Sequence, residues 1–232
     1  MILAAVETHL SRPIAPTRRV ALGELDLPCE PAPGFGGILL GGIVARFAPE
    51  LDPDLYDELL GLMRDVQHGR RIPQPRMRHR FQEDRIGLQR SAHRLVGAGE
   101  GLRFELEQER GTPAQHVLCA VYAAATTPVA VRSTVVDTLR RGLRWRGGSD
   151  AALVAHLSGH TTLVAIDAVA DPVAWARRTL ELRDAELVPS RREVQRAFRE
   201  RLRAEHPDHG GERQGAADRI ARLAEARRIL LG

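Results

Sequence analysis

There is no lysine among the 232 residues of this chain, and all 34 basic side chains are arginine. This excludes a Schiff-base lysine, a P-loop lysine and the ATP-binding lysine of protein kinases, because each needs an ammonium on a flexible stem. Cysteine is almost as scarce. Cys29 and Cys119 stand far apart, so there is no C-x-x-C zinc or redox pair and no disulfide framework, as in a reducing compartment. Long hydrophobic runs are missing too. The most apolar stretch, Gly34 to Val44, is interrupted by five glycines and stops at Arg46, and the opening MILAAVETHL has no basic n-region and meets Glu7. Neither stretch suits a bilayer span or a signal peptide, so a cytoplasmic chain with no membrane partner is expected. Aromatic residues are only 4% of the total, but 43% hydrophobic and 28% charged residues are enough for one large or two modest domains. The bias toward Arg, Ala, Gly and Pro fits a bacterium with a GC-rich genome.

The net charge of +4 is local. Residues 189–232 hold 11 Arg and 7 acids, whereas residues 1–188 hold 23 of each and are neutral. An excess confined to the last segment points to an acidic partner surface or to a solvated helix face there.

Residues 1–165 read as an α+β domain of no assigned fold. β-like stretches run from Val20 to Leu27, Arg76 to Leu88 and Leu102 to Glu107, with a Gly-rich turn at Gly97–Gly101. Asp52-Pro53 opens a helix that repeats Leu55, Leu59, Leu60 and Met63. Residues 111–157 read as helical pieces, one opened by Thr112-Pro113 and another placing Val135, Leu139 and Leu143 on one face; Thr161 to Ile166 is β-like.

From Asp171 the pattern is all helical. Asp171-Pro172 caps a short helix presenting Val173, Ala176 and Leu180, with Trp175 and Leu182 beside them. Ser190 and Glu193 then form a capping box that opens a second helix. Along it Val194, Ala197, Phe198 and Leu202 make a packing face, while Arg192, Arg196, Arg199 and Arg203 make a guanidinium stripe. The helix must end at His206-Pro207-Asp208, since proline lacks a backbone donor and disfavours helix at the residue before it. After Gly210-Gly211, a third helix from about Gly215 places Ile220, Leu223, Ala226 and Leu230 on one side, which lets it lie antiparallel to the second.

EVQRAFRERLRAEHPDHGG followed by AADRIARLAEARRILLG resembles the J domain of DnaJ-type co-chaperones over residues 171–232: a basic amphipathic helix, an HPD loop and an antiparallel helix. The resemblance implies an all-α C-terminal J-like helical hairpin that docks on a DnaK-type ATPase chaperone and stimulates its ATP hydrolysis. Asp208 would present its carboxylate to a basic site near the partner's interdomain linker, with His206 and Pro207 holding the loop. Arg192, Arg196, Arg199 and Arg203 would meet an acidic surface of the partner's ATPase domain. Such a protein is an activator with no catalytic group, metal or cofactor of its own, and its N-terminal domain selects an unknown client or a location. The chain also departs from the family. Arg201 stands where leucine is usual, with Leu202 beside it, and Arg227 where tyrosine is common, so a slight rotation of the second helix is expected. The first helix lacks its usual tyrosine, and the loop from Arg183 to Pro189 is longer. No zinc module or Gly/Phe-rich linker follows, as in the divergent class with a single J domain.

Other constellations are weaker. His156 and His160 lie four apart but lack the glutamate of H-E-x-x-H and a third ligand, and Gly159 weakens the helix. Ser91 and His93 alternate on a strand without an identifiable third partner for hydrolytic chemistry. The rival functional reading is a nucleic-acid or protein-binding module whose hairpin no longer recruits a chaperone. It uses nine arginines between Arg64 and Arg94 (64, 70, 71, 76, 78, 80, 85, 90 and 94), although Phe81 is the only aromatic there for base stacking.

Overall fold

A computed structural model of the chain describes all residues except 13, 16, 17, 73, 100, 160–165, 183–188, 206–214 and 232. The protein is α+β, and it divides into two compact units, Met1–Gly159 and His160–Gly232.

The first unit is built on a five-stranded sheet of order β3-β2-β1-β4-β5. Its central strand β1 (Ile2–Leu10) buries Ala4, Val6, Thr8 and Leu10 and turns Leu3, Ala5, Glu7 and His9 to the other face, a strict period of two. β1 pairs antiparallel with β2 (Arg19–Asp26) and β4 (Gln89–Ala98), and β4 returns through a tight turn, with Gly99 at φ +61°, into β5 (Gly101–Leu106). The expected strand from Arg76 to Leu88 is reduced to β3 (Arg80–Phe81), which is parallel to β2. The reason is local: Arg76 and His79 exchange backbone hydrogen bonds of 2.9 and 2.8 Å across a turn in which Met77 and Arg78 take positive φ, so the chain reverses where a strand would continue.

Helix α1 (Gly34–Phe47) comes from the glycine-interrupted apolar run and is buried on nearly every side, against the sheet and the later helices. Glycines on both sides of its contacts permit that closeness: a Cβ on Gly42 of α1 would overlap the Phe104 ring, and one on Gly142, in a later helix, would overlap the carbonyl oxygen of Gly41. Asp52 accepts from the Asp54 amide and opens a 3₁₀ turn, Pro53–Leu55, that leads into α2 (Tyr56–Gln67). The buried face of α2 is Leu59, Leu62, Met63 and Val66, whereas Leu60 is exposed. Thr112 and Gln115 form a capping box at the start of α3 (Pro113–Ala125), and the Gln115 amide also donates to the Ser11 and Arg19 carbonyls, both at 3.1 Å, tying the helix to β1 and β2. α4 (Val129–Leu143) buries Val135 and Leu139 against α1, and α5 (Asp150–Ser158) ends at Gly159 with φ +74°.

In the second unit the described residues form helices α6 (Ile166–Ala170), α7 (Pro172–Thr179), α8 (Arg191–Glu205) and α9 (Ala216–Leu231). Ile166 opens α6 rather than closing a strand, and the rest of that β-like stretch lies outside the described residues. Asp171 caps α7 by accepting from the Ala174 amide at 2.9 Å. α7 and α8 both pack on α9 around Trp175, Ala176, Leu180, Val194, Ala197, Leu223 and Ala226, but Val173 is 51% exposed and contributes little. Among the described residues no helix is long and apolar enough to cross a membrane.

Candidate functional site: the arginine face of helix α8

Helix α8 begins where its chemistry dictates. The Ser190 amide donates to Glu193 Oε2 at 2.8 Å and the Glu193 amide donates to Ser190 Oγ at 3.3 Å, so two free donors of the first turn are satisfied reciprocally. These bonds to Ser190 hold the Glu193 carboxyl below its usual range. Val194 and Ala197 are buried and Phe198 is half-buried.

The opposite face is the guanidinium stripe, with Arg192, Arg196, Arg199 and Arg203 all exposed. Among the described residues Arg192 and Arg203 have no carboxylate partner. Arg196 meets Glu200 only at 4.0 Å, with both side chains about 70% exposed (70% and 68%), and Arg199 donates to the Gln195 carbonyl at 3.2 Å. Arg192, Arg196 and Arg199, with Ser190 and Glu193, line a shallow cleft of about 400 Å³. A guanidinium has five donors, no acceptor and a permanent charge, so the row is suited to carboxylates on a partner surface and to no acid–base chemistry. His206, Pro207 and Asp208 follow α8 directly in the chain but lie outside the described residues.

The two positions that depart from the J-domain pattern make internal contacts. Arg201 reaches Glu181 at 2.7 Å and Glu205 at 3.5 Å, and the Arg227 guanidinium lies 4.4 Å from the Phe198 ring centroid.

Comparison with known proteins adds no relative. A scan of family models, a search of curated proteins and a search of solved structures each returned no match.

The remaining sequence candidates are placed elsewhere. Four of the nine arginines between Arg64 and Arg94 face a carboxylate of their own unit. Arg76 and Arg70 face Asp65 at 3.1 and 3.6 Å, while Arg85 and Arg90 both face Glu7 on the far side of the sheet from the helices. Burial alone would raise the Glu7 carboxyl, yet hydrogen bonds from His9 and Arg90 carry it below its ordinary value. His156 Nε2 lies 2.9 Å from the Arg141 carbonyl, and His160 is outside the described residues. Among the described residues no three His, Cys, Asp or Glu side chains converge as a metal site.

His93 does have a partner, and the sequence offered no signal for it. Its Nε2 is 3.0 Å from Nδ1 of His116 on α3, whose own Nε2 is 2.7 Å from the Arg110 carbonyl, and Phe47 stacks on the His116 ring. Burial pushes His93 down to about 3 and His116 down to about 4, so both rings are neutral at physiological pH. Sealed inside the core, the pair is a structural element of the first unit.

Proposed function

We propose that the protein is a co-chaperone: the second unit docks on a DnaK-type chaperone and stimulates its ATP hydrolysis, and the first unit selects client or location. The observation that carries this is the exposed row Arg192, Arg196, Arg199 and Arg203 on a helix that leads directly into His206-Pro207-Asp208. The opposite side of that helix is packed into the core of its own unit, which leaves the guanidiniums free to face another molecule. Arg201 and Arg227 are engaged on the unit's own side chains and so do not interrupt the row. Docking is electrostatic and reversible, and the chain contributes a carboxylate, Asp208, and positive charge rather than a reacting group. The setting is the bacterial cytoplasm, where such a chaperone works.

The test is the steady-state ATPase rate of a DnaK-type chaperone from a lysine-poor, GC-rich bacterium, titrated with the full chain. A several-fold rise that His206→Gln abolishes supports the proposal. An unchanged rate, or an equal rise with His206→Gln, overturns it.

A further inference from the structure

The first unit carries a cavity at the β5 edge of its sheet, away from the buried imidazole pair. It measures about 560 Å³ and lies where the last turns of α1, strand β5 and the Trp145–Gly148 segment between α4 and α5 come together. That volume falls within the range of small-molecule sites, about 300–1,000 Å³. Its apolar lining is Ala45, Pro49, Phe104, Leu106, Trp145 and Leu153. Glycines fix both rings: a Cβ on Gly42 would overlap Phe104, and one on Gly148 would come within 2.9 Å of the Trp145 ring, which also lies 5.2 Å from the His156 ring. The apolar walls are therefore preformed.

The charged groups at the cavity are not equivalent. Arg46 is neutralised, since its Nη1 donates to Glu50 at 2.5 Å while its Nε and Nη2 donate to Gln108 Oε1 at 3.1 and 2.5 Å. Asp150 is also accounted for: its Oδ2 accepts from the Phe104 amide at 3.0 Å, and it stands in the first turn of α5, where free amides favour a negative charge. Arg146 is different. It is exposed and donates to the carbonyls of Leu143 at 3.4 Å and Trp145 at 3.2 Å, and among the described residues it has no carboxylate partner.

We propose that this cavity binds a molecule made of an aromatic or branched apolar group and a single carboxylate, the group lying against Phe104, Trp145 and Leu153 and the carboxylate on Arg146. The site lies wholly within the first unit and does not depend on chaperone docking by the second. One uncompensated guanidinium matches one carboxylate, which it holds with two parallel hydrogen bonds. A phosphate monoester, carrying about two charges, would call on further donors, and those of Arg46 are already committed. A ligand cation would be repelled by Arg146 and would have to displace the Phe104 amide or the helix end from Asp150. The required chemistry has two sources, a free carboxylic acid and the carboxyl end of a peptide chain with an apolar last residue.

The experiment is calorimetric titration of the full chain with three probes: N-acetylphenylalanine as the free acid, its neutral amide, and N-acetylglycylglycylphenylalanine as the chain end. The free acid is expected to bind saturably with a Kd of about 1 mM or tighter, and the amide about fivefold or more weakly. Arg146→Gln, a change at an exposed position, is expected to weaken the acid about fivefold or more and to leave the amide unchanged. Trp145 fluorescence in a Trp175→Phe background is expected to change over the same concentration range; an unchanged spectrum places the ligand elsewhere and overturns the assignment. The tripeptide tells the sources apart: affinity equal to that of the free acid assigns the cavity to a chain end, loss of binding assigns it to a free acid, and both support the proposal. No saturation by about 10 mM of either acid, equal affinity for acid and amide, or an Arg146→Gln variant equal to wild type overturns it.

Discussion

Arg227 on α9 covers the ring of Phe198 on α8, its guanidinium carbon 4.4 Å from the ring centroid. Phe198 belongs to the packed side of α8, beside the cluster of Trp175, Val194 and Leu223. The cation therefore closes the outer edge of the core at a place where one helix offers an aromatic face and the other a long, amphipathic stem. Arg227→Ala is expected to destabilise the second unit by about 0.5–1 kcal/mol, the range for a partly exposed cation–π contact. Arg227→Tyr, which keeps a flat polar-tipped side chain over the ring, is expected to recover most of it. Urea unfolding followed by Trp175 fluorescence in a Trp145→Phe background reads this unit alone, and an unchanged midpoint for Arg227→Ala would show that the contact contributes nothing.

Two glycines in helices of the first unit should respond in opposite ways to alanine. A Cβ on Gly142 would overlap the Gly41 carbonyl oxygen, where α4 crosses α1, and neither backbone can yield without separating the helices. Gly142→Ala is expected to cost about 1–3 kcal/mol, as overpacking of a tight core does. Gly61 on α2 has nothing within 4 Å of the added methyl, so Gly61→Ala is expected to stabilise by about 0.5–1 kcal/mol through helix propensity. Denaturant midpoints of the two variants decide the matter, and a stabilised Gly142→Ala would show that α1 and α4 are less closely packed than described.

This contrast also explains what was legible in the sequence. Capped helices were: Asp171-Pro172, Ser190–Glu193 and Thr112-Pro113 each mark a helix start through a local hydrogen bond that a few neighbouring residues determine. The stripe of α8 was legible for the same reason, since its period depends on one helix alone. Helix α1 was not, because five glycines argue against helix locally, and two of them, Gly41 and Gly42, are justified only by Leu157, Thr138 and Phe104, which arrive from distant parts of the chain. The His93–His116 contact joins residues 23 positions apart on a strand and a helix, and no spacing rule connects them. The strand expected over Arg76 to Leu88 failed on a turn with two non-glycine residues at positive φ, which composition does not announce.

The buried imidazoles make the first unit sensitive to acid. Desolvation lowers His93, with His116 adding repulsion, and desolvation likewise lowers His116 against weaker opposing contributions from the Arg110 carbonyl, Glu107 and Glu50. The folded values, about 3 and about 4, lie below the ordinary 6.5, so as pH falls below 6.5 the unfolded chain binds protons that the folded chain refuses. Stability is therefore lost as pH drops from 6.5 toward 4, by up to roughly 1 kcal/mol per pH unit for each ring. His79, lowered by burial, acts in the same direction. Urea midpoints of the first unit, read by Trp145 fluorescence in a Trp175→Phe background, are expected to be lower at pH 5 than at pH 7. His116→Gln, which can still donate to the Arg110 carbonyl, is expected to shrink that difference. Equal midpoints at the two pH values would show that the pair does not titrate on unfolding.

The stripe allows charge to be separated from shape. Replacing Arg192, Arg196, Arg199 and Arg203 together by lysine keeps four positive charges on the same exposed face, so long-range attraction to an acidic partner and its decay with salt should persist. What lysine cannot supply is the planar fork that holds a carboxylate with two parallel hydrogen bonds. If the partner is gripped by forks, the half-saturating concentration for chaperone stimulation rises about tenfold in the lysine variant, roughly 1.4 kcal/mol in all, while the slope against salt is unchanged. Replacement by glutamine removes the charge as well, and both affinity and salt dependence are expected to be lost. A lysine variant equal to wild type would mean that charge alone docks this helix, and that the exclusive use of arginine here does not serve docking.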